Sequence, residues 1–354
     1  MTIPSASTAM RFITALSGWR GILLVLGLVL AWLALRGLAW DEAWRQLAGI
    51  GPGALFILIV LNLAMLPLMT ARWWQLLKTL GSPVDLFTVC GHRFAAGAVS
   101  YLTPGPHLGG EPLLVYLLNQ QQKIPLLTAT TSVALDRILE LWASIAVLSF
   151  SLIILNINDS GPFTGRWPLL LTLFLLVILA ILLVALFTGR RPLSRLSSWL
   201  LLLCKNLHLP ISETTGRLEK IIAEGEAMTE SLLRRHRRSF LLANLYSVFH
   251  WFGVFAEFWL MAAFLGSPLS FCQLLAVVIT ARLAFLTPLP AGLGALESAL
   301  PWVTAALGQG SVLGLSLCLL IRFRDVLFSL IGLGLTMKYL TYLDKNSSVN
   351  KNSG

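Results

Sequence analysis

Leu102-Thr103-Pro104-Gly105-Pro106-His107-Leu108-Gly109-Gly110-Glu111 and Leu286-Thr287-Pro288-Leu289-Pro290-Ala291-Gly292-Leu293-Gly294-Ala295-Leu296-Glu297 are two versions of one pattern: L-T-P-x-P, then L-G, then a glutamate within three residues. Each interrupts an apolar run, the first over 86–118 and the second over 271–307. Proline removes a backbone donor and glycine loosens the backbone, so neither run continues as one helix. Each reads as two short helices joined by a tight turn. Backbone broken in this way survives at membrane depth only where it is buried in protein or lines a wet cavity.

Composition says that the surroundings are a membrane. Of 354 residues, 56% are hydrophobic and 12% charged, against ~25% charged in soluble domains. Mean hydropathy is +0.80. A disordered chain is ruled out, and a core of this length cannot hide so much apolar surface as a soluble enzyme would need. A helix crosses the hydrocarbon with ~20 apolar residues. Six runs qualify: Gly21–Trp40, Gly53–Thr70, Pro125–Ile157, Pro168–Thr188, Ser239–Leu265 and Val312–Leu340. The first is longer than the ~7–15 residues of a signal-peptide core and reads as a retained span. Pro125–Ile157 is long enough to bend or protrude. The expected fold is all-α: a polytopic membrane protein, one integral domain over 1–354, with about six spanning helices and two re-entrant hairpins.

Gly189–Arg238 is the one substantial polar segment, with ten Lys/Arg and five Glu. Leu218, Ile221, Ile222, Met228, Leu232 and Leu233 fall at helical spacing, which predicts an amphipathic helix over Thr215–Arg235. Such a basic helix suits an anionic cytoplasmic leaflet, or a docking partner. The net charge of +10 reads the same way, as basic loops inside rather than as a nucleic-acid surface. With this linker inside, Arg11 and Arg20 of the N-terminus and Lys338 and Lys345 of the tail also fall inside. Gly266–Ser270 and Gly308–Ser311, without charge, fall outside. Asn346–Gly354 reads as a frayed tail. This arrangement requires hairpins that enter and leave on one side, the first opening to the cytoplasm and the second to the opposite face. Three crossings then separate them, and an odd number inverts the second repeat (239–340) against the first (21–157). Single spans in place of hairpins would make the repeats parallel. Inverted repeats with broken helices meeting near the midplane are the pattern of secondary transporters.

The repeat extends downstream. Arg137 lies 26 residues after Glu111 and Arg322 lies 25 after Glu297, and each has an acid three residues on, Glu140 and Asp325. The apolar segments hold Arg36, Arg93, Arg137, Arg282, Arg322 and Arg324 against Glu111, Asp136, Glu140, Glu257, Glu297 and Asp325. A lone charge at a helix centre costs ~2.5–3.5 kcal/mol, so balanced signs predict buried pairs. Spacing of i,i+3 makes Arg137–Glu140 and Arg322–Asp325 the natural ones. Two readings stand. The pairs glue the repeats together, or the arginines fork onto an anionic headgroup. A half-helix N-terminus after Pro106 or Pro290 would offer N–H groups to the same anion. Gly105, Gly109, Gly110, Gly292 and Gly294 would allow close approach of a headgroup, or simply tight helix packing. Glu111 and Glu297 either carry protons or cap the half-helix N-termini. The candidate substrate-binding set is Thr103, Pro104, Gly109, Glu111, Arg137, Glu140, Thr287, Pro288, Gly294, Glu297, Arg322 and Asp325. Arg36 and Glu257 receive no role. Trp73, Trp74 and Trp251 read as interfacial or packing residues.

Other chemistry finds no motif. Cys90, Cys204, Cys272 and Cys318 are scattered, and His92, His107 and His250 are isolated, so no disulfide framework, metal site or cofactor is expected. P-loop, H-E-x-x-H and G-x-S-x-G patterns do not occur. An enzyme is therefore not expected.

The segment from Arg93 to Pro104, with Leu108-Gly109-Gly110-Glu111, Ala134-Leu135-Asp136-Arg137 and Thr287–Glu297, resembles the signature region of the lysylphosphatidylglycerol synthase transmembrane, or flippase-like domain, family. The resemblance covers roughly residues 20–340. It implies movement of lipid across a membrane, with Glu111, Arg137, Glu297 and Arg322 around a central cavity; the expected location is a bacterial cytoplasmic membrane, with both termini inside as the basic segments place them. The aminoacyltransferase fused to the best-understood members has no counterpart here, so a stand-alone form is expected. Its partner is a membrane lipid with a polar or anionic headgroup, and a separate lipid-synthesising enzyme is a candidate second partner. No nucleic acid is implied. An intramembrane lipid-modifying enzyme and a non-transporting scaffold for a separate synthase are the alternatives.

Overall fold

Ten α-helices carry the architecture in a computed structural model that describes residues 29, 36, 40–103, 109–159, 161–188, 236–287 and 289–352. They are α1 (Trp40–Ala48), α2 (Pro52–Thr79), α3 (Leu86–Leu102), α4 (Gly110–Gln121), α5 (Leu126–Ile157), α6 (Arg166–Thr188), α7 (Arg237–Phe264), α8 (Phe271–Phe285), α9 (Ala295–Ala306) and α10 (Ser311–Asn352). Short 3-10 turns occupy Gly161–Phe163 and Pro290–Gly292, and no strand occurs among the described residues.

Local chemistry sets the breaks. The Asp85 carboxylate starts α3 by accepting from the amides of Phe87 at 2.9 Å and Thr88 at 3.2 Å. Ser270 starts α8 with a reciprocal Gln273 cap. The run 86–118 is divided into α3 and α4, and 271–307 into α8 and α9, and the two helices of each pair pack together.

Lengths separate two kinds of helix. Three of them, α2, α5 and α7, are long and apolar enough to cross a membrane, and the chain is an all-α polytopic membrane protein. The 32 residues of α5 rise about 48 Å, well beyond a hydrocarbon core of about 30 Å. The shorter α6 is apolar over Arg166–Ile181. By contrast, the 15 residues of α8 reach about 22 Å and the 12 of α4 or α9 about 18 Å. Residues 312–340 lie within the single helix α10, which continues to Asn352, beyond the point where the sequence suggests fraying. The span expected over Gly21–Trp40 falls mostly outside the described residues. So do the linker up to Arg235 with its amphipathic helix Thr215–Arg235, the tip residues 104–108 including Pro104 and Gly105, and Pro288.

Packing places α8 at the centre. Every residue from Leu274 to Ala281 is buried, as expected of a helix apolar on all sides. Its neighbours include α5, α7 and α9. Around it α2 lies along α7, where a Cβ on Gly253 would come within 2.8 Å of Met65. The long α10 touches both hairpins. Gly314 lies on Leu300 and Pro301 of α9, and Gly332 lies on Phe94 and Ala98 of α3. The Thr336 hydroxyl donates to the Ala95 carbonyl at 3.2 Å. Outside, Phe56, Leu173, Phe174, Phe252, Phe323 and Leu330 are exposed, an apolar surface suited to lipid.

Candidate functional site

α5 presents Asp136 and Glu140 one turn apart, on a face that meets α2 and α8 and that the Arg93 side chain of α3 reaches. Three helices send arginines to them. Arg72 Nε of α2 meets Asp136 Oδ1 at 2.7 Å, and Arg93 Nη1 of α3 meets Asp136 Oδ2 at 2.7 Å. Glu140 takes Arg137 at 2.6 Å, Arg72 at 3.4 Å, Arg282 of α8 at 3.6 Å and Arg93 at 3.7 Å. Arg137 also reaches Glu111 in the first turn of α4 at 2.8 Å. Four guanidinium groups thus face three carboxylates, a surplus of one positive charge (4 − 3 = 1).

The segment that carries the second Thr-Pro-x-Pro pattern builds a related group. Glu297, in the first turn of α9, takes Arg322 of α10 at 2.7 Å and 3.0 Å. Glu111–Arg137 and Glu297–Arg322 are therefore ion pairs at corresponding positions of the two Thr-Pro-x-Pro segments. Glu297 also accepts from the Gly294 amide at 2.8 Å, so it caps its own helix. Arg322 donates to the Ala291 and Gly292 carbonyls at 2.7 and 3.2 Å, which clamps the turn before α9. That turn is strained: Ala291 has φ 51°, a left-handed conformation that costs a residue with a Cβ roughly 1–2 kcal/mol. Gly292, at φ 63°, has no room for a side chain, since a Cβ would lie 3.0 Å from the Ala284 carbonyl.

The expected Arg322–Asp325 pair is not formed. Asp325 instead takes its neighbour Arg324 at 2.8 Å, and Arg324 reaches Glu257 of α7 at 2.6 Å. Arg322 goes to Glu297 because there it serves a carboxylate and two carbonyls together. The Arg137–Glu140 pair does form. Glu257, given no role by sequence, is 1% exposed and also accepts from Asn62 at 2.8 Å.

These charges surround space. A cavity of about 370 Å³ lies between α2, α3, α5, α7, α8 and α10. A second, of about 270 Å³, adjoins it, sharing Met69, Arg93, Tyr101, Arg282, Phe285 and Arg324 as walls. Of the sequence-derived set, Glu140 and Asp325 line the first and Arg137 and Asp325 the second. Glu111, Glu297 and Arg322 are not among the lining residues, although Arg322 lies beside Tyr101, which lines both cavities. The Thr103 hydroxyl turns back to the Val99 carbonyl at 3.1 Å and Thr287 to Ala284 at 2.7 Å. Gly109 lies against the Thr103 side chain, and Gly294, at φ 81°, precedes α9. Pro104 and Pro288 lie outside the described residues.

Sequence reasoning passed over the residues that define the cavity wall. Arg72 falls two residues beyond the apolar run ending at Thr70 and escaped the charge census. Arg93, Arg282 and Arg324 lie in apolar segments whose sequence predicts pairing but names no partner for them. Arg93 is 3% exposed, and among the described residues its Nε and Nη2 and the Nε of Arg282 have no hydrogen-bond partner. Arg282 also sits over the Trp251 ring at 5.6 Å, which makes Trp251 a cavity residue. Unpartnered buried donors of positive charge favour an anion in the space they face. Among the described residues, no three His, Cys, Asp or Glu are grouped to hold a metal ion.

Residues 19–332 match the family model of the lysylphosphatidylglycerol synthase TM region. A UPF0104 membrane protein of Methanothermobacter thermautotrophicus is 24% identical over 282 residues, which is 78% of this chain and 82% of that protein. No solved structure matches.

Proposed function

Because the chain belongs to the lysylphosphatidylglycerol synthase TM region family, we propose that this membrane protein is a flippase-type carrier that moves a lipid with a polar or anionic headgroup across the bilayer. The carrying observation is the pair of adjoining cavities lined by Arg93 and Arg282; Arg93 Nε and Nη2 and Arg282 Nε have no hydrogen-bond partner among the described residues. A headgroup phosphate would complete those hydrogen bonds, each worth ~1.5–3 kcal/mol to a charged partner, while the acyl tails stay in lipid beside the exposed apolar helices. Six spans and two re-entrant hairpins from opposite faces fit the helix lengths, since α4, α8 and α9 are too short to cross alone. The twin Glu–Arg contacts support a duplicated unit, read here as an inverted repeat whose halves alternate access around the cavity. We place the protein in a bacterial inner membrane with both termini cytoplasmic, acting on lipid made by a separate enzyme and performing no catalysis itself.

A proteoliposome assay tests this. The full chain is reconstituted with fluorescent phosphatidylglycerol, and loss of inner-leaflet label is followed. The wild type is expected to speed exchange, and Arg282→Gln to slow it about tenfold or more, as loss of one charged hydrogen bond implies. A wild-type rate equal to protein-free vesicles overturns the reading. A change in lipid mass would point instead to an intramembrane enzyme.

A further inference from the structure

The Glu–Arg pairs of the two Thr-Pro-x-Pro segments are not completed alike. In the second, both oxygens of Glu297 are engaged, by Arg322 and by the Gly294 amide, and its side chain is 8% exposed. In the first, Glu111 Oε1 meets Arg137, while the buried Oε2 has no hydrogen-bond partner among the described residues. Arg137, for its part, does not depend on Glu111. It donates a hydrogen bond to Glu140 at 2.6 Å, whereas its Nε, 2.8 Å from Glu111, makes an ion pair there without hydrogen-bond geometry. The free oxygen is therefore a place for a proton, and the arginine beside it stays paired when that proton arrives.

From this asymmetry we propose that Glu111 is the proton-coupling group of the carrier and that its protonation strengthens anion binding in the cavity. The proposal rests on the anionic-headgroup reading above and adds to it an energy source. The step is a simple one: the Glu111 carboxylate takes one proton to become a carboxylic acid, and no other bond changes. Its charged surroundings are Arg137 and Glu140 on α5 and Arg93 on α3. On α10, Arg322 and Asp325 face Tyr101 of α3 rather than Glu111. Neutralising Glu111 raises the surplus of the first charge group from one to two positive charges (4 − 2 = 2). The gain falls on Arg137, which lines the smaller cavity with Arg93 and Arg282. By linkage, a proton that favours the anion is itself favoured by the anion, so the two are carried together. Glu297 has no comparable role, because its charge holds Arg322 and the turn before α9 in place.

The test uses the full-length protein in detergent, with dihexanoyl phosphatidylglycerol below its micelle concentration as the probe and calorimetry at pH 5.5 and pH 8. Wild type is expected to bind about tenfold more tightly at the lower pH, in the range of ordinary coupling energies. Binding enthalpies in buffers of different ionisation enthalpy are expected to show uptake of up to one proton per lipid. Glu111→Gln mimics the protonated acid, so its affinity should equal the wild type's low-pH value at both pH values, with proton uptake lost. A pH-independent wild type, or a Glu111→Gln variant that keeps the wild-type slope, overturns the proton role and leaves the headgroup reading intact. Absence of binding at either pH overturns both, as does equally tight binding of inorganic phosphate, which would make the site one for a free anion. Glu111→Asp, which restores a carboxylate, should restore the pH dependence; failure to do so in a protein with a wild-type melting curve also counts against the proposal.

Discussion

Asp136 holds two guanidinium groups at 2.7 Å each, and all three side chains are almost wholly buried. Removing one partner of a buried ion pair strands the others in a poor solvent, at about 3–5 kcal/mol. Asp136→Asn is therefore expected to lower stability by that order, read as a fall in the thermal midpoint of the detergent-solubilised protein. Glu111→Gln should cost much less, because Arg137 keeps Glu140. Equal losses for the two variants would mean that Asp136 is not the anchor the geometry makes it. The same contrast explains why Glu297 and Glu111, alike in sequence, differ in use: one is consumed by a cap and a clamp, the other has an oxygen to spare. Glu297→Gln should accordingly behave as a structural lesion, weakening the strained turn at Ala291 and lowering the melting midpoint more than Glu111→Gln does.

Among the elements, α10 is the one that ties the molecule together. It packs on the second hairpin through Gly314 and on the first through Gly332, Thr336 and Phe328, whose ring lies 5.5 Å from that of Phe94. A Cβ at position 332 would come within 2.5 Å of the Phe94 carbonyl and 2.7 Å of Ala98. Neither neighbour is the end of a flexible side chain, so the helices must separate. Gly332→Ala is expected to cost ~1–3 kcal/mol, the usual range for overpacking, and to reduce the yield of folded protein. Gly334→Ala, three quarters of a turn or less away with nothing within 4 Å of its Cβ, should leave stability nearly unchanged. Measured melting curves for the two single variants decide the matter. The central helix α8 illustrates the complementary constraint. Its burial from Leu274 to Ala281 leaves Arg282, at its last turn, directed to Ser144 at 2.8 Å and to the cavity.

For the whole molecule, the decisive quantity is the parity of crossings between the hairpins. The mouth of the first hairpin lies near Lys123 and that of the second near Ser267. With α5, α6 and α7 each crossing once, these positions face opposite sides. In a background free of the native cysteines, Lys123→Cys and Ser267→Cys are expected to react with an impermeant maleimide from opposite faces of oriented vesicles. Reaction from the same face would remove the inverted repeat and, with it, alternating access between twin halves. The cavity is walled by α2, α3 and α5 from the first half of the chain and by α7, α8 and α10 from the second. Any motion that opens it must therefore break contacts such as Asn62–Glu257 and Arg282–Glu140, which join helices across it.

The membrane class, the helix breaks and the equivalent positions of Glu111, Arg137, Glu297 and Arg322 were legible in the sequence, because each follows from local chemistry. Apolar composition chooses the solvent, and a cluster of prolines and glycines ends a helix where a lone proline, such as Pro67 of α2 or Pro301 of α9, does not. The identity of ionic partners was not legible beyond one turn of helix. Arg137–Glu140 could be read from i,i+3 spacing, but Arg322 passed over Asp325 for a carboxylate on another helix. Arg72 lies just past an apolar run, and nothing in its neighbours signals Asp136, 64 residues on. Which arginines face a cavity with donors to spare depends on how far six helices stand apart and how each is rotated. Those are consequences of side chains meeting across the whole bundle, so only the tertiary structure could decide them.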